Sequence, residues 1–414
     1  MSIRSAVDAA SLHDEAFVAD PFPVWERLRH EAPLLHDTVD DVYLLTRYED
    51  VAAVLRDDVT YSTWIYKTWF ATVMGDTFAQ YDGERHARER ARVAPHLVGA
   101  PLERLLRPIV ETVAGAVVAA LPAGEVDLVG PFTFRLPGLV LARLFTFAAG
   151  DEEERFLRLA AAISSGLVGG AEEVAAGVSA RSELEAWTTE RLERRRRRRD
   201  APDDLLQWLV EPDAQGALLD EGYVRTNVNF LSAAGSSTVD YALRNVLWAL
   251  LSHPERSKAA REGDADSIDR TFTETMRYAP PVPYEGRIVA TDVEWHGHVV
   301  PEGSIVRVAL ASATNDETVF GDPRRFDPER ADLWRGDSRG GVQRDGTASH
   351  LGFGLGSHFC AGYKLSRLEA REGILRLFRD RRPTPAGPVP PLRMHQYHLT
   401  VPYLRATLTQ EGWS

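Results

Sequence analysis

Cysteine is nearly missing from this chain, with one, Cys360, in 414 residues. A single cysteine closes no internal disulfide, which excludes the stapled folds of oxidising compartments. An export signal is missing too, because the opening run MSIRSAVDAASLHDEAF is polar and acidic; a reducing cytoplasm is the expected location. Long apolar runs are lacking as well. The apolar segment LPGLVLARLFTF, Leu136 to Phe147, carries Arg143 and falls short of the roughly 20 apolar residues of a membrane span, so no membrane is expected as a partner. Nor does any Ser/Gly-rich linker, repeat or low-complexity tract divide the chain. One large unit over residues 1–414 is therefore expected, although two closely packed subdomains would give the same pattern. Basic side chains are outnumbered, 48 Lys and Arg against 61 Asp and Glu for a net charge of −13, which argues against nucleic acid as a general partner.

What is present is mostly helical pattern, with strands near the two ends. VYLLTRYEDVAAVLRD predicts a short strand, Val42 to Thr46, and then a helix from about Tyr48. GRIVATDVEWHGHVVPEGSIVRVALAS and MHQYHLTVPYL alternate as sheet does. Between them lie amphipathic stretches at Leu102–Leu121, Glu152–Ser164, Val178–Arg198 and Gly222–Ser252. The expectation is a mainly α fold with a smaller β region: an α-rich core at about 80–280 and 350–380, and β-rich portions at about 30–50, 285–312 and 390–410. The six arginines Arg194 to Arg199 end a helix, where cations suit the negative end of the macrodipole, and the acidic DAPDD follows. They read as a solvated helix end rather than a nucleic-acid patch.

The cysteine sits in HLGFGLGSHFCAG, His350 to Gly362. A lone cysteine is most often a small buried hydrophobe. Structural zinc would need further cysteines or histidines nearby, and a nucleophile would need a base and an orienting group, while the spacing shows no strand-to-helix elbow. Gly354, Gly356 and Gly362 remove side chains and permit positive φ, so the backbone can lie close to something large and flat. A thiolate with backbone N–H groups turned towards its sulfur is what an axial ligand to heme iron requires.

At its defining positions FGLGSHFCAG, Phe353 to Gly362, resembles the heme-binding signature of the cytochrome P450 monooxygenases. The resemblance runs from about Asp20 to Val401. It implies the cytochrome P450 fold, a triangular helical prism with a long central I helix, and heme b, iron protoporphyrin IX, as cofactor. It implies Cys360 as the axial ligand of the heme iron, His358 as a propionate partner, Phe353 as the aromatic near the sulfur, and Gly354, Gly356 and Gly362 as the cofactor loop. ETMR supplies Glu274 and Arg277 of the family's Glu-x-x-Arg motif, and FDPER supplies Arg330 as third member of that charge network. An exposed i,i+3 pair alone contributes only ~0.2–0.5 kcal/mol, but this one stands just before YAPPVP, where prolines stop the helix. In DGERHARER the resemblance makes His86 and Arg90, at i,i+4, contacts of the propionates, and in EGRIVATD it gives Arg287 the same role. Such cations offset carboxylates that are costly to bury unpaired.

The oxygen-activating pattern departs from the family. FLSAAGSSTVDYALRN aligns with Ala-Gly-x-Asp/Glu-Thr as Ala234, Gly235, Ser236, Ser237 and Thr238. The threonine is kept and the acid is Ser237; Asp240 lies about 200° round a helix from Thr238 and does not stand in. The expected activity is monooxygenation, inserting one atom of O2 into a small, largely apolar or aromatic molecule in natural-product tailoring or catabolism. The alternatives are oxidative coupling or dehydrogenation, or peroxide-driven oxidation, by the same heme; a non-catalytic heme protein is disfavoured because Cys360 and its surroundings are intact. Electrons are expected from an external ferredoxin and ferredoxin reductase, docking on Arg85, Arg88 and Arg92, with the chain a monomer. The resemblance places substrate against Trp64, Tyr66, Trp69 and Phe70 of STWIYKTWF, against Phe230, Ala233 and Ala234, against Val282 to Tyr284, and against Tyr397. In SATND, Thr314 and Asn315 stand where relatives usually have Asn-Arg, which puts local turn contacts in doubt.

Overall fold

A computed structural model describes residues 9–196, 203–336, 341–395 and 397–409. The start of the opening run, Arg197 to Arg199 with the first residues of DAPDD, and Gln396 lie outside the described residues. The helices that build the body are α1 Tyr48–Arg56, α2 Ile65–Met74, α3 Gly83–Arg90, α4 Arg107–Ala120, α5 Arg135–Leu144, α6 Asp151–Gly166, α7 Ala171–Arg196, α8 Glu221–Ser252, α9 Ala265–Tyr278 and α10 Tyr363–Arg381. Among the described residues no helix is long and apolar enough to cross a membrane.

The 32 residues of α8 make a rod roughly 48 Å long at 1.5 Å per residue. Asp220 starts it, its carboxylate accepting from the N–H groups of Gly222 and Tyr223; His253 and Pro254 stop it. Helices α5, α6, α7, α9 and α10 pack around it, and their facing apolar side chains, among them Leu141, Phe156, Leu184, Leu243, Met276 and Leu377, form the larger of two buried clusters. Two boundaries differ from expectation. Helix α7 begins at Ala171 rather than Val178, and Leu102–Leu121 divides into a wide turn, Leu102–Leu106, and then α4. Pro108 has no N–H to complete the regular ladder there, and the wider hydrogen-bond pattern absorbs that gap.

The main sheet holds β1 Leu34–Asp37, β2 Val42–Leu45, β3 Tyr61–Ser62, β4 Tyr284–Val289 and β5 Ile305–Ala309, in the order β1-β2-β5-β4-β3. Strands β2 and β5 run parallel with Val42 opposite Ile305, and the other pairs are antiparallel. Its apolar face and α1 enclose the second cluster, with Leu45, Val51, Val308 and Leu355. Smaller pairings lie at Val293–Trp295 with His298–Val300 and at Arg393–His395 with His398–Thr400. Gly124–Asp127 pairs with Arg405–Leu408 and is a strand outside the expected β-rich portions; its four residues are too few to declare an alternation.

Behind the cysteine loop, Arg277 holds Glu274 at 2.7 and 2.8 Å with both side chains fully buried. Arg330 reaches the same carboxylate only at 3.5 Å and binds Asp332 more closely, at 2.6 Å. Asn315 donates to the carbonyls of Ala311 and Tyr278. Beside it, Arg324 donates to Asn315 Oδ1 and the Tyr278 hydroxyl and lies 3.3 Å over the Phe22 ring. Burial lowers its pKa to about 10.

Candidate functional site

The loop that carries Cys360 is bent by its own hydrogen bonds. Gly354 N–H donates to Leu351, Phe359 N–H to Gly356, and Cys360 N–H to Phe353 at 2.9 Å. The three glycines do different things. Gly354 and Gly356 have φ of +70° and +75°, the left-handed region that favours glycine. A Cβ on Gly356 would come 2.3 Å from the Leu55 carbonyl oxygen, and one on Gly354 3.0 Å from Glu285 Oε1; both approaches are to protein, at α1 and β4. Gly362 corrects the expectation, for its φ is −87° and a Cβ there would meet only the Cys360 sulfur at 4.0 Å.

Cys360 is enclosed by protein, although the residue keeps some accessible surface. Desolvation pushes its thiol up, while the N–H groups of Gly362 and Tyr363 and the charge of Arg90 act the other way. Phe353 sits partly buried beside the loop, 6.1 Å from Phe272 and 6.2 Å from Tyr363. Arg90 donates to the Phe359 carbonyl and so ties α3 to the cysteine loop.

Helix α3 brings His86 to the same place. The ring is buried and stacked face to face on His358, 3.9 Å between centroids and 18° between planes. Desolvation, with His358 and Arg90 nearby, lowers the His86 pKa to about 3, so the ring is neutral at physiological pH. Its Nδ1 is buried without a hydrogen-bond partner, an atom that asks for an acceptor or donor the protein does not supply. On the sheet side, Arg287 is almost fully buried; it pairs with Glu285 at 2.8 Å and donates to the Gly286 carbonyl and, at 3.4 Å, to the Tyr66 hydroxyl. A flat dianionic macrocycle with an axial site for sulfur fits this set: an enclosed thiol, an orphaned imidazole nitrogen, and the cations Arg90 and Arg287.

Helix α8 runs unbroken past Gly235, whose position a side chain would contest with Leu141. Every hydroxyl in this stretch turns back to its own helix: Ser236 to Ser232, Ser237 to Ala233 at 3.1 Å, and Thr238 to Ala234 at 2.7 Å. Asp240 is buried and paired with Arg244. Ala234, Ser237 and Thr238 keep accessible surface, but Ala233, expected to face substrate, lies in the core.

The aromatic segment folds as α2 and divides. Tyr66 and Phe70 stack at 5.4 Å, and the Trp69 ring covers Gly286, where a Cβ would come within 2.6 Å. Trp64 instead faces outward under Lys67. Phe230 meets Phe78 edge-on at 5.3 Å, and Phe78 also lies against His86. Val282 is half-buried. Tyr284 corrects the expectation: its hydroxyl accepts from Trp25 Nε1 at 2.9 Å, and with the exposed Tyr397 it lines a cavity of about 300 Å³ together with His13, Asp37 and Arg307, to which Phe230 does not contribute. The expected basic docking surface is corrected as well. Arg92 is buried, donating to the carbonyls of Glu211 and Ala217, whereas Arg85, held by Glu89 over the Tyr81 ring, and Arg88, near Asp213, both stay half-exposed.

Sequence reasoning passed over three residues. Phe78 could have been found from its place just ahead of DGERHARER. Asp82 opens that motif and was read only as its first letter. Glu369, on α10, is fully buried with both carboxyl oxygens unpartnered, and burial holds its pKa well above the usual range; a glutamate at helical spacing gives no sequence signal of this.

A family model described as Cytochrome P450 matches residues 175–380. The cytochrome P450 monooxygenase PikC of Streptomyces venezuelae is 32% identical over 370 residues, covering 86% of this chain and 83% of that protein. The vitamin D(3) 25-hydroxylase of Pseudonocardia autotrophica is 31% identical over 89% of this chain and 88% of its own length. Among solved structures, cytochrome P450 CYP109Q5 from Chondromyces apiculatus superposes with a TM-score of 0.83 at 26% identity, over 97% of this chain and 98% of that one.

Proposed function

Because the chain belongs to the cytochrome P450 family, a family of heme b monooxygenases, we propose that Cys360 is the axial thiolate and that the site oxidises a small, largely apolar or aromatic natural product. The observation that carries this reading is the solitary enclosed thiol with the Gly362 and Tyr363 N–H groups turned towards it. Heme b, when bound, supplies the redox chemistry that reduces dioxygen and transfers one of its atoms.

The chain's own residues bind, orient and move protons. His358, His86, Arg90 and Arg287 would hold the propionates, the two guanidinium groups offsetting two buried charges. Phe353 and the N–H groups beside Cys360 keep the sulfur dry and temper its basicity. Ala234 and Gly235 leave room on the facing helix, and Thr238 presents the hydroxyl that passes protons, with Ser237 one position earlier. Phe230, Phe78, Tyr66 and Phe70 give the substrate an apolar, aromatic wall. Electrons come from a ferredoxin and its reductase. The test is the absorption spectrum of the reduced protein under carbon monoxide, recorded beside Cys360→Ser. A red-shifted Soret band in the wild type, lost in the variant, is expected; its absence from folded wild type refutes the reading.

One observation favours a second reading. Among the described residues of this helix stretch the nearest acid, Asp240, is taken by Arg244, so the proton path has hydroxyls where relatives carry a carboxylate. Dehydrogenation or coupling without oxygen delivery, or use of peroxide, would follow if that path limits the reaction. Product yield per electron, set against peroxide-driven turnover, separates the two.

A further inference from the structure

Asp82 stands at the N-cap of α3 with extended backbone, yet its side chain makes no cap hydrogen bond to that helix. N-cap aspartates ordinarily accept from the first turn. Here both oxygens turn outward. They accept from the Ser62 hydroxyl at 2.5 Å, the Thr63 hydroxyl at 2.9 Å and the Thr63 N–H at 3.1 Å, and Oδ1 meets His358 Nε2 at 2.9 Å. These contacts hold the carboxylate ionised, with its pKa lowered to about 2. One turn along the same helix, His86 lies flat on the His358 ring. The imidazole of His358 is thus gripped on its edge by one residue of α3 and on its face by another, while β3 braces the grip from behind.

We propose that Asp82 is a positioning residue of the cofactor site: by anchoring Nε2 of His358 it sets the tilt of that ring and leaves Nδ1 to meet a heme propionate. The proposal rests on the reading of His358 as a propionate partner. The logic is that of a second-sphere carboxylate fixing a histidine through its far nitrogen. Ser62 and Thr63 fix the carboxylate in turn, so the chain of contacts runs from the edge strand of the main sheet to the cofactor. The alternative, a bond that merely ties α3 to the cysteine loop, is already served by Arg90 on the Phe359 carbonyl.

The experiment follows transfer of hemin from the holoprotein to excess apomyoglobin, together with the midpoint potential, in Asp82→Asn, Asp82→Glu, His358→Ala and the double variant Asp82→Asn/His358→Ala. Asp82→Asn is expected to speed hemin loss about tenfold, the low end for outer-sphere partners. Its potential should shift, and its red-shifted carbon monoxide band should remain, which shows the thiolate reading intact. Asp82→Glu should recover most of the retention, and the double variant should lose hemin no faster than His358→Ala alone. Asp82→Asn at the wild-type rate beside a fast His358→Ala overturns the proposal and spares the propionate reading, as does full additivity in the double variant. A wild-type rate in His358→Ala overturns both.

Discussion

The Thr238 hydroxyl donates to the Ala234 carbonyl 2.7 Å away, one turn back along α8, and Ser237 does the same with Ala233 at 3.1 Å. Neither hydroxyl is needed to join α8 to a neighbour. Replacing either should therefore cost the fold little, on the order of 1 kcal/mol or less, and any large effect will be chemical. Thr238→Val is expected to lower product formed per electron several-fold, with peroxide rising to match and the melting temperature unchanged. Ser237→Asp is expected to raise that yield. Product, NADPH and peroxide measured in one reaction decide both; an unchanged yield in Thr238→Val removes the hydroxyl from the proton path.

Two glycines of the signature, six residues apart, should respond oppositely. Gly356→Ala meets a left-handed backbone, which costs roughly 1–2 kcal/mol for an L residue, and places its methyl 2.3 Å from the Leu55 carbonyl oxygen. It is expected to abolish heme loading. Gly362→Ala has an ordinary φ of −87° and open space, so it should fold and load heme. Heme content per polypeptide, by pyridine hemochrome assay, makes the comparison.

Removing Arg277 leaves the Glu274 charge fully buried with only the Asp327 N–H, at 2.9 Å, and Arg330, 3.5 Å away and engaged by Asp332, to face it. Loss of one partner of such a pair costs about 3–5 kcal/mol. Arg277→Met is expected to leave little soluble holoprotein and Arg330→Met distinctly more. Equal yields from the two would mean that the three residues act as one unit.

Stability should fall on both sides of neutrality, for two buried groups that charge only outside the fold. Burial raises the Glu369 pKa. Above the ordinary carboxylate value the unfolded chain releases a proton that the folded chain keeps, and stability is lost as pH rises towards the folded value, with a slope of about 1.4 kcal/mol per pH unit for one such proton. His350 is the reverse case, its pKa lowered to about 3 by burial beside Arg367 and Arg277. The unfolded chain takes up a proton below about 6.5 and the folded chain does not, so stability falls from there down to about pH 3. Urea unfolding at pH 5 and pH 8 should show Glu369→Gln gaining on wild type far more at pH 8 than at pH 5. His350→Gln should gain at pH 5 only.

Much of the site was legible because its residues carry their signal locally. The glycines, His358 and Cys360 lie within one ten-residue signature, and His86 and Arg90 share one helix face. The proline stop after α9 likewise marked Glu274 and Arg277 as more than a surface pair. The misreadings concern direction. Tyr284 alternates along β4 as expected, but which way its ring leans depends on Trp25, distant in sequence. Arg85, Arg88 and Arg92 are spaced like a surface stripe, and only Arg92 is drawn inside, by the carbonyls of Glu211 and Ala217.

By itself the sequence determined the elements, the thiol and the missing acid, since periodicity, capping residues, prolines and a contiguous motif act over a few residues. Only the tertiary structure decided how those pieces are held. It alone placed Asp82 on His358 across 276 positions, set Arg324 against Asn315, and buried Glu369 with both carboxyl oxygens unpartnered. Each of these depends on packing between elements far apart along the chain, where burial and mutual distance, not residue type, set the strength and direction of an interaction.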